Sequence, residues 1–269
     1  DLGRRGLPFL PEPSAVPAAD LLICESTYGG RLHETLDRMA EKLAAIMRST
    51  AARGGKVLIP AFSLGRTQLV VYFIQRWMSE GLLPRLPIFI DSPLAAQIAA
   101  VYDRYGTSLQ VGSTASFPEV HYLQNRDEAQ SVSMRPQPCV IVASGGMCEG
   151  GRIMHHLRHH IDDPRSAIVL VSYQAPHTIG RQLLERRPSI RFHGKKWNKW
   201  AEVVELNGFS GHADRDDFIA LLGPVAKHTG RVRLVHGEPE QAEALAQTLR
   251  SHGFRDVCVA FRQECVSVA

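Results

Sequence analysis

No stretch of the 269 residues reaches the roughly 18 to 20 consecutive apolar positions that a membrane-spanning helix needs, and the opening DLGRRGLPFLPEP lacks a secretory-leader core. A soluble, membrane-free protein is expected. Cysteine is scarce and unpaired in pattern: Cys24, Cys139, Cys148, Cys258 and Cys265 are odd in number and form no CxxC spacing. Neither a disulfide framework nor a cysteine zinc site is indicated, and a reducing, cytoplasmic setting is expected. Cys24, Cys139 and Cys258 lie in apolar runs, where a free thiol is expected to pack as a small hydrophobe. Charge of one sign is not in strong excess. A net charge of +4 with twelve histidines permits a polyanionic partner without arguing for one. Fixed-period repeats and low-complexity tracts are also absent, which excludes solenoids and disordered arrays.

What is present is 44% apolar residues, enough for one large core or two ordinary ones. Four segments repeat a plan of a short apolar run followed by a helix-like stretch: KVLIPAF with SLGRTQLVVYFIQRWM, PIFI with DSPLAAQIAAVYDRY, CVIVA with SGGMCEGGRIMHHL, and AIVLVS with YQAPHTIGRQLLE. Continuous apolar strands alternating with helices read as parallel strands buried on both faces, hence an α/β layered fold. A further helix is predicted over 35–53, where Leu36, Met39, Leu43, Ile46 and Met47 share one face. Residues 108–138 are polar, aperiodic and proline-bearing, and are predicted to be a long connection with one helical turn. After KKWNKW come EVVELNGFSGHADRDDFIALL and RVRLVHGEPEQAEALAQTLRSHG, each read as a strand, a histidine-bearing loop and an amphipathic helix.

Three ionisable residues follow apolar strands: Glu25 after LLIC, His212 after VVELNGFSG and His236 after RLV. In open α/β sheets ligands collect beyond the carboxyl ends of strands, so residues so placed can converge, although periodicity alone does not show that these meet. A lone histidine at a strand end more often makes a structural hydrogen bond than serves as a ligand or acid. The His155, His156, His159, His160 group is expected at a surface or interface, because two histidines at helical spacing make an incomplete zinc site. Gly65-Arg66-Thr67-Gln68 and Ser144-Gly145-Gly146-Met147 precede predicted helices, whose free amides attract anions; a tight strand-to-helix turn is the plainer reading of each.

The segments ESTYG (25–29), GFSGHAD (208–214) and LVHGE (234–238), with DLGR (1–4), PAFSLGRTQ (60–68), DSPLA (91–95), ASGGMCEGGR (143–152) and the 173–181 run, resemble the β-CASP family of metallo-β-lactamase-fold ribonucleases, the first three matching its motifs A, B and C. The resemblance implies a parallel-sheet β-CASP domain flanked by helices at 31–205, inserted in a partial αββα metallo-β-lactamase domain formed by 1–30 and 206–269. It implies hydrolysis of RNA phosphodiesters with two zinc ions, manganese being the alternative. Asp1 and His236 match metal ligands; His212 matches the proton donor to the leaving oxygen, and Glu25 the carboxylate that orients it. Gly65, Arg66, Gln68, Ser92, Ser144, Gly145, Gly146, Thr178 and Arg181 match positions for contact with single-stranded RNA, with helix capping as the other use of the hydroxyls. Tyr173 and Trp197 are stacking candidates, with core packing the plainer use.

The family's HxHxDH motif belongs ahead of Asp1 and does not occur in these residues. The chain is therefore expected to be a fragment that binds little or no metal and cleaves little RNA, with the missing metallo-β-lactamase segment or a second copy of itself as partner for a mobile or repacked 206–269 lobe. The competing class is a nucleic-acid-binding module without hydrolysis, against which the retained Glu25, His212 and His236 argue. A serine-hydrolase elbow at 208–212 fails because the final glycine of GxSxG is His212.

Overall fold

The computed structural model describes residues 1–105 and 118–266. The chain folds as two compact units, one formed by Asp1–His33 with Ser210–Ala269 and the other by Glu34–Phe209. In chain order, the first unit opens with β1 (Leu21–Glu25). The second unit then carries α1 (Leu36–Ala52), β2 (Lys56–Ala61), α2 (Arg66–Ser79), β3 (Ile88–Asp91), α3 (Pro93–Tyr105), β4 (Val120–Tyr122) and α4 (Arg126–Met134). It continues through β5 (Cys139–Ser144), α5 (Ile153–His160), β6 (Ala167–Leu170), α6 (Ile179–Leu184), β7 (Ser189–Phe192), β8 (Lys195–Asn198) and β9 (Glu202–Glu205). The chain returns to the first unit with α7 (Arg215–Leu222), a 3-10 turn (Gly223–His228), β10 (Arg231–Val235), α8 (Pro239–Ser251) and β11 (Asp256–Val259).

In the Glu34–Phe209 unit six strands form one parallel sheet in the order β4-β3-β5-β2-β6-β9, and β7 and β8 form a separate antiparallel pair. Every residue of β2, β3 and β6 is buried, which is why these segments read as unbroken apolar runs rather than alternating ones. The predicted helix over 35–53 is α1. Its Met39, Leu43, Ile46 and Met47 are buried, and the Thr35 side chain caps it by accepting from the Arg38 amide. Helix α5 packs through Ile153 and Leu157 into a core with Leu58, Ile141 and Ile168.

Two expectations are corrected here. Within 108–138 the structure places β4 and the full helix α4 rather than a connection with one turn, residues 106–117 lying outside the described ones. The missed signal was Asn125 followed by Glu128. Asn125 accepts from the Glu128 amide at 2.9 Å and its own side-chain amide donates to Glu128, a reciprocal cap that starts a helix whose Ala129 and Val132 are buried. The histidine group on α5 is not a surface patch either. His156 and His160 point into the core, with His156 fully buried between Ser133 Oγ (2.8 Å from Nδ1) and Asp91 Oδ2 (3.0 Å from Nε2). A histidine face four residues deep cannot be told from an exposed one by spacing when its hydrogen-bond partners come from distant segments.

Among the described residues His160 has no hydrogen-bond partner for either ring nitrogen, and burial, with lesser help from His156 and Lys56, pushes its pKa down to about 3. The ring is neutral in the folded protein and takes up a proton on unfolding below the ordinary histidine value near 6.5. Its contribution to stability is therefore intact above that value and is lost as pH falls toward about 3, at a limiting slope of about 1.4 kcal/mol per pH unit. Urea midpoints are expected to fall between pH 7.5 and 5.5, and His160→Leu is expected to flatten that dependence. An unchanged slope in the variant would refute the assignment.

In the Asp1–His33 and Ser210–Ala269 unit, β1, β10 and β11 form a parallel sheet in the order β1-β10-β11. One face carries Cys24, Val232, Leu234 and Val257 into a core with Phe218, Leu222, Leu245 and Leu249 of α7 and α8. The opposite face is open: Ile23 is 63% exposed and Cys258 is also exposed. Cys24 and Cys139 are buried as expected, but Cys258 is not, because alternation along a one-sided sheet turns it outward. No helix among the described residues is long and apolar enough to cross a membrane.

Candidate metal and proton-transfer site

Asp1, Glu25, His212 and His236 come together although up to 235 positions separate them in sequence; one potential ligand atom from each lies within 4.8 Å of those of the others. The parallel pairing of β1 with β10 explains half of this. Glu25 ends one strand and lies in register with Val235, so His236 emerges at the same sheet edge. Asp214 contributes the rest of the frame. Its carboxylate accepts from the Asp216 and Asp217 amides to cap α7, and from the His33 amide at 3.0 Å, which holds the 210–214 turn near the end of β1. His33 Nε2 also bonds the His212 carbonyl at 3.0 Å. At the amino terminus, Arg5 pairs with Asp217 of α7 at 2.9 Å.

Glu25 is buried and saturated with donors. His212 Nδ1 lies 2.6 Å from its Oε2, the Thr27 hydroxyl 2.7 Å from the same oxygen, and the Leu2 amide donates to Oε1 at 2.9 Å. Burial alone would raise its pKa; the bonds from His212, Thr27 and Leu2 outweigh burial and hold it below the usual carboxylate range. The ionised form is thus the one the fold selects. The stability it lends is present above the unfolded carboxylate pKa and is lost as pH falls through the depressed folded value. With Nδ1 occupied by Glu25, Nε2 is the nitrogen through which His212 can exchange a proton.

Asp1 and His236 form the open half of the cluster. Their side chains are 56% and 62% exposed, and Asp1 Oδ1 stands 2.9 Å from His236 Nδ1 and 3.7 Å from His212 Nδ1. His236 has φ +51, a left-handed conformation uncommon outside glycine and frequent at functional turns. The next residue must be glycine for a separate reason: a Cβ at Gly237 would sit 2.4 Å from Ser26 Oγ. The Thr27 hydroxyl, which shares its single proton between Glu25 and the His236 carbonyl at 2.9 Å, links the two halves. Thr27, His33 and Asp214 were not among the residues singled out in the sequence. Only Asp214 carried a local signal, the capping spacing Asp214 to Asp217.

The residues expected to contact RNA all belong to the Glu34–Phe209 unit. Gly65, with φ +73, is the N-cap of α2 and offers no side-chain bond. Arg66 donates to the Val171 carbonyl, and Gln68 is buried with its Nε2 on the Ser63 carbonyl at 3.0 Å. The hydroxyls of Ser92, Ser144 and Thr178 accept from the amides of Ala95, Arg152 and Arg181 respectively. Capping is thus the observed use of all three. Gln68, Ser92 and Thr178 are buried and spend their bonds inside the fold, so for these the expected direct contact gives way to holding the turns. Gly145 has φ +110 and a Cβ there would meet the Gly150 carbonyl at 2.0 Å, so the 144–151 turn closes tightly on itself, while Gly146 lies against the ring of Phe62, which is 43% exposed. Arg181 bonds the Gln174 carbonyl at 3.3 Å and pairs with Glu185 at 3.4 Å. Trp197 stacks on Phe192 with ring centroids 5.5 Å apart, in keeping with core packing.

Comparison with known proteins supplies the lineage. Residues 67–183 match the Beta-Casp domain, and residues 200–265 match a domain described as a Zn-dependent metallo-hydrolase RNA specificity domain. The chain is 36% identical over 262 residues to Ribonuclease TTHA0252 of Thermus thermophilus, covering 94% of this chain and 59% of that protein. It is 31% identical over 259 residues to Transcription termination factor FttA of Methanosarcina mazei, covering 90% of this chain and 40% of that protein. An RNase J-like protein of Methanocaldococcus jannaschii is 30% identical over 255 residues, covering 90% and 57%. The chain thus spans between about two fifths and three fifths of the length of these relatives. With both domain models and three such relatives aligned along it, the chain belongs to the β-CASP family of the metallo-β-lactamase fold.

Proposed function

We propose that the protein carrying this chain hydrolyses phosphodiester bonds of single-stranded RNA, and that Asp1, Glu25, His212 and His236 form part of its active centre. The observation that carries this reading is the pairing of a buried, ionised Glu25 with His212 beside the solvent-open Asp1 and His236. A carboxylate and an imidazole presented together at an open edge suit zinc or manganese as donor types, and Asp1 and His236 would hold the metal, two zinc ions being our reading. When bound, it supplies Lewis acidity toward the phosphate and a water activated for attack at neutral pH. Two such donors are fewer than the three protein ligands typical of a catalytic zinc, so we propose that the rest of the centre comes from a further segment of the metallo-β-lactamase fold. The open face bearing Ile23 and Cys258 is where that layer, or a second copy of the chain, would pack.

The protein's own residues divide the remaining work. His212 donates a proton from Nε2 to the departing ribose oxygen. Glu25 fixes the ring through Nδ1 and stabilises its charged form, and Thr27 and the Leu2 amide keep Glu25 ionised and in place. Backbone amides at Gly65, Gly145 and Gly146, the guanidinium groups of Arg66 and Arg181 and the half-exposed Phe62 ring are proposed to hold the strand, the first two kinds by phosphate contact and the last by stacking. Contacts of this kind read backbone more than base.

The test is cleavage of end-labelled single-stranded RNA by the protein before and after chelation, with zinc and manganese restored separately. Activity is expected to vanish with chelator and return with one of the metals. Asp1→Ala and His236→Ala are expected to lower bound metal by about 10- to 100-fold in affinity when the ion is titrated directly. Metal-independent cleavage, or wild-type metal affinity in both variants, would contradict the reading. Strand binding with no hydrolysis under any metal would favour the binding-module alternative.

A further inference from the structure

The Glu34–Phe209 unit holds a cationic cleft that the proposed chemistry does not use. It has a volume of about 420 Å³ and lies where α4, α5 and the β7–β8 turn meet. Arg126 of α4, Arg152 at the cap of α5, Arg158 of α5 and the imidazoles of His155 and His193 line it, and no carboxylate does. Arg126 and Arg158 are exposed and make no ion pair among the described residues. Arg152 is held from behind, its Nε 3.5 Å from the fully buried Asp91 carboxylate. His155 Nε2 is buried and has no hydrogen-bond partner among the described residues.

Arg126 and Arg158 bring two uncompensated guanidinium charges to one cleft, with Arg152 offset by Asp91 on its buried side alone, and they repel one another unless an anion joins them. Their planar donor forks match phosphate oxygens two at a time. The amino end of α5 opens on the same cleft at Gly151 and Arg152; the Arg152 amide is taken by the Ser144 hydroxyl, so the helix adds its favourable dipole to the side-chain charges. Met154 and Ala129 line an apolar part of the wall, suited to the flat face of a base or sugar. We propose that this cleft binds the phosphate of a nucleotide, at a site separate from the metal and proton-transfer residues. The phosphate can belong to a free nucleoside polyphosphate or to a nucleotide of a bound RNA strand, and the two sources are separable by experiment.

The full chain is titrated with ADP by calorimetry and with a short fluorescent oligouridylate by anisotropy, chelator being present so that no strand is cut. Three proteins are compared: wild type, Arg126→Gln/Arg158→Gln, and Arg38→Gln/Arg85→Gln, the last removing the same charge from exposed positions elsewhere in the unit. The first double variant is expected to lose about tenfold or more in affinity for the phosphate source that uses the cleft, and the control double variant little. Loss for ADP alone identifies a free nucleotide. Loss for the oligonucleotide, with its salt dependence shallower by about 1 to 1.5 in log–log slope, identifies the strand. Arg126→Lys/Arg158→Lys is expected to recover part of the affinity, which a folding defect would not allow. Equal affinities in wild type and the cleft variant, equal losses in the cleft and control variants, or no saturable binding of either probe would overturn the proposal. Because chelator suppresses hydrolysis throughout, failure here leaves the reading of the metal site standing, and failure of that reading leaves this one.

Discussion

His212→Ala is expected to lower the turnover of RNA by on the order of 100- to 10,000-fold, with little change in KM, in the protein that carries this chain. The ring sits 26% exposed at the edge of the cluster with Nδ1 committed to Glu25, so its loss removes the proposed proton donor without opening a cavity in the core. Glu25→Gln keeps the shape of the side chain and removes the charge that stabilises the imidazolium, and it is expected to cost most of the same factor. Because the two side chains act as one unit, the double variant should be little worse than His212→Ala alone. Stability separates this from a structural role. His212 can be lost with a small change in the urea midpoint, whereas Glu25→Gln disturbs the Thr27 and Leu2 bonds and should destabilise as well as slow the enzyme. A His212→Ala protein that cleaves within threefold of wild type, after contaminating nuclease is excluded by a parallel Glu25→Gln/His212→Ala preparation, would remove His212 from the chemistry.

The largest expected effect on stability lies in the other unit. Asp91, His156 and Ser133 form a Ser-His-Asp chain with the distances of a hydrolytic triad, but Asp91 and His156 are fully buried and Ser133 nearly so. No substrate reaches it, and its work is to pin α4 and α5 to the end of β3. Among the described residues His156→Leu would leave the buried Asp91 carboxylate with Arg152 at 3.5 Å as its remaining partner, and is expected to cost about 3–5 kcal/mol in urea unfolding. Ser133→Ala removes one neutral hydrogen bond and should cost about 1 kcal/mol. Asp91→Asn/His156→Leu should be less destabilising than His156→Leu alone, because the uncompensated charge is gone. A loss under about 1 kcal/mol for His156→Leu would show the network to be dispensable.

These examples mark how far residue order carries. Strands β2, β3, β5 and β6 were legible because burial on both faces leaves continuous apolar runs, and α1 because its buried face repeats at helical spacing. Helix α4 was not, since its apolar residues are few and its start depends on a reciprocal cap between Asn125 and Glu128 inside a polar stretch. Cys258 was misplaced because an apolar run on a one-sided sheet still alternates in direction.

Sequence by itself determined the family resemblance, through ESTYG, GFSGHAD and LVHGE, and with it the four residues to watch, because local motifs survive as contiguous strings. That Asp1, Glu25, His212 and His236 come together follows only from the parallel register of β1 with β10 and the Asp214 cap that brings the 210–214 turn to the same edge. The same holds for the α5 histidines. His156 faces Asp91 and Ser133 while His155 faces a cleft of arginines, and adjacent positions on one helix acquire opposite environments from whatever packs on each side. Hydrogen bonds and charge pairing between distant segments have no period along the chain, so only the folded arrangement decides them.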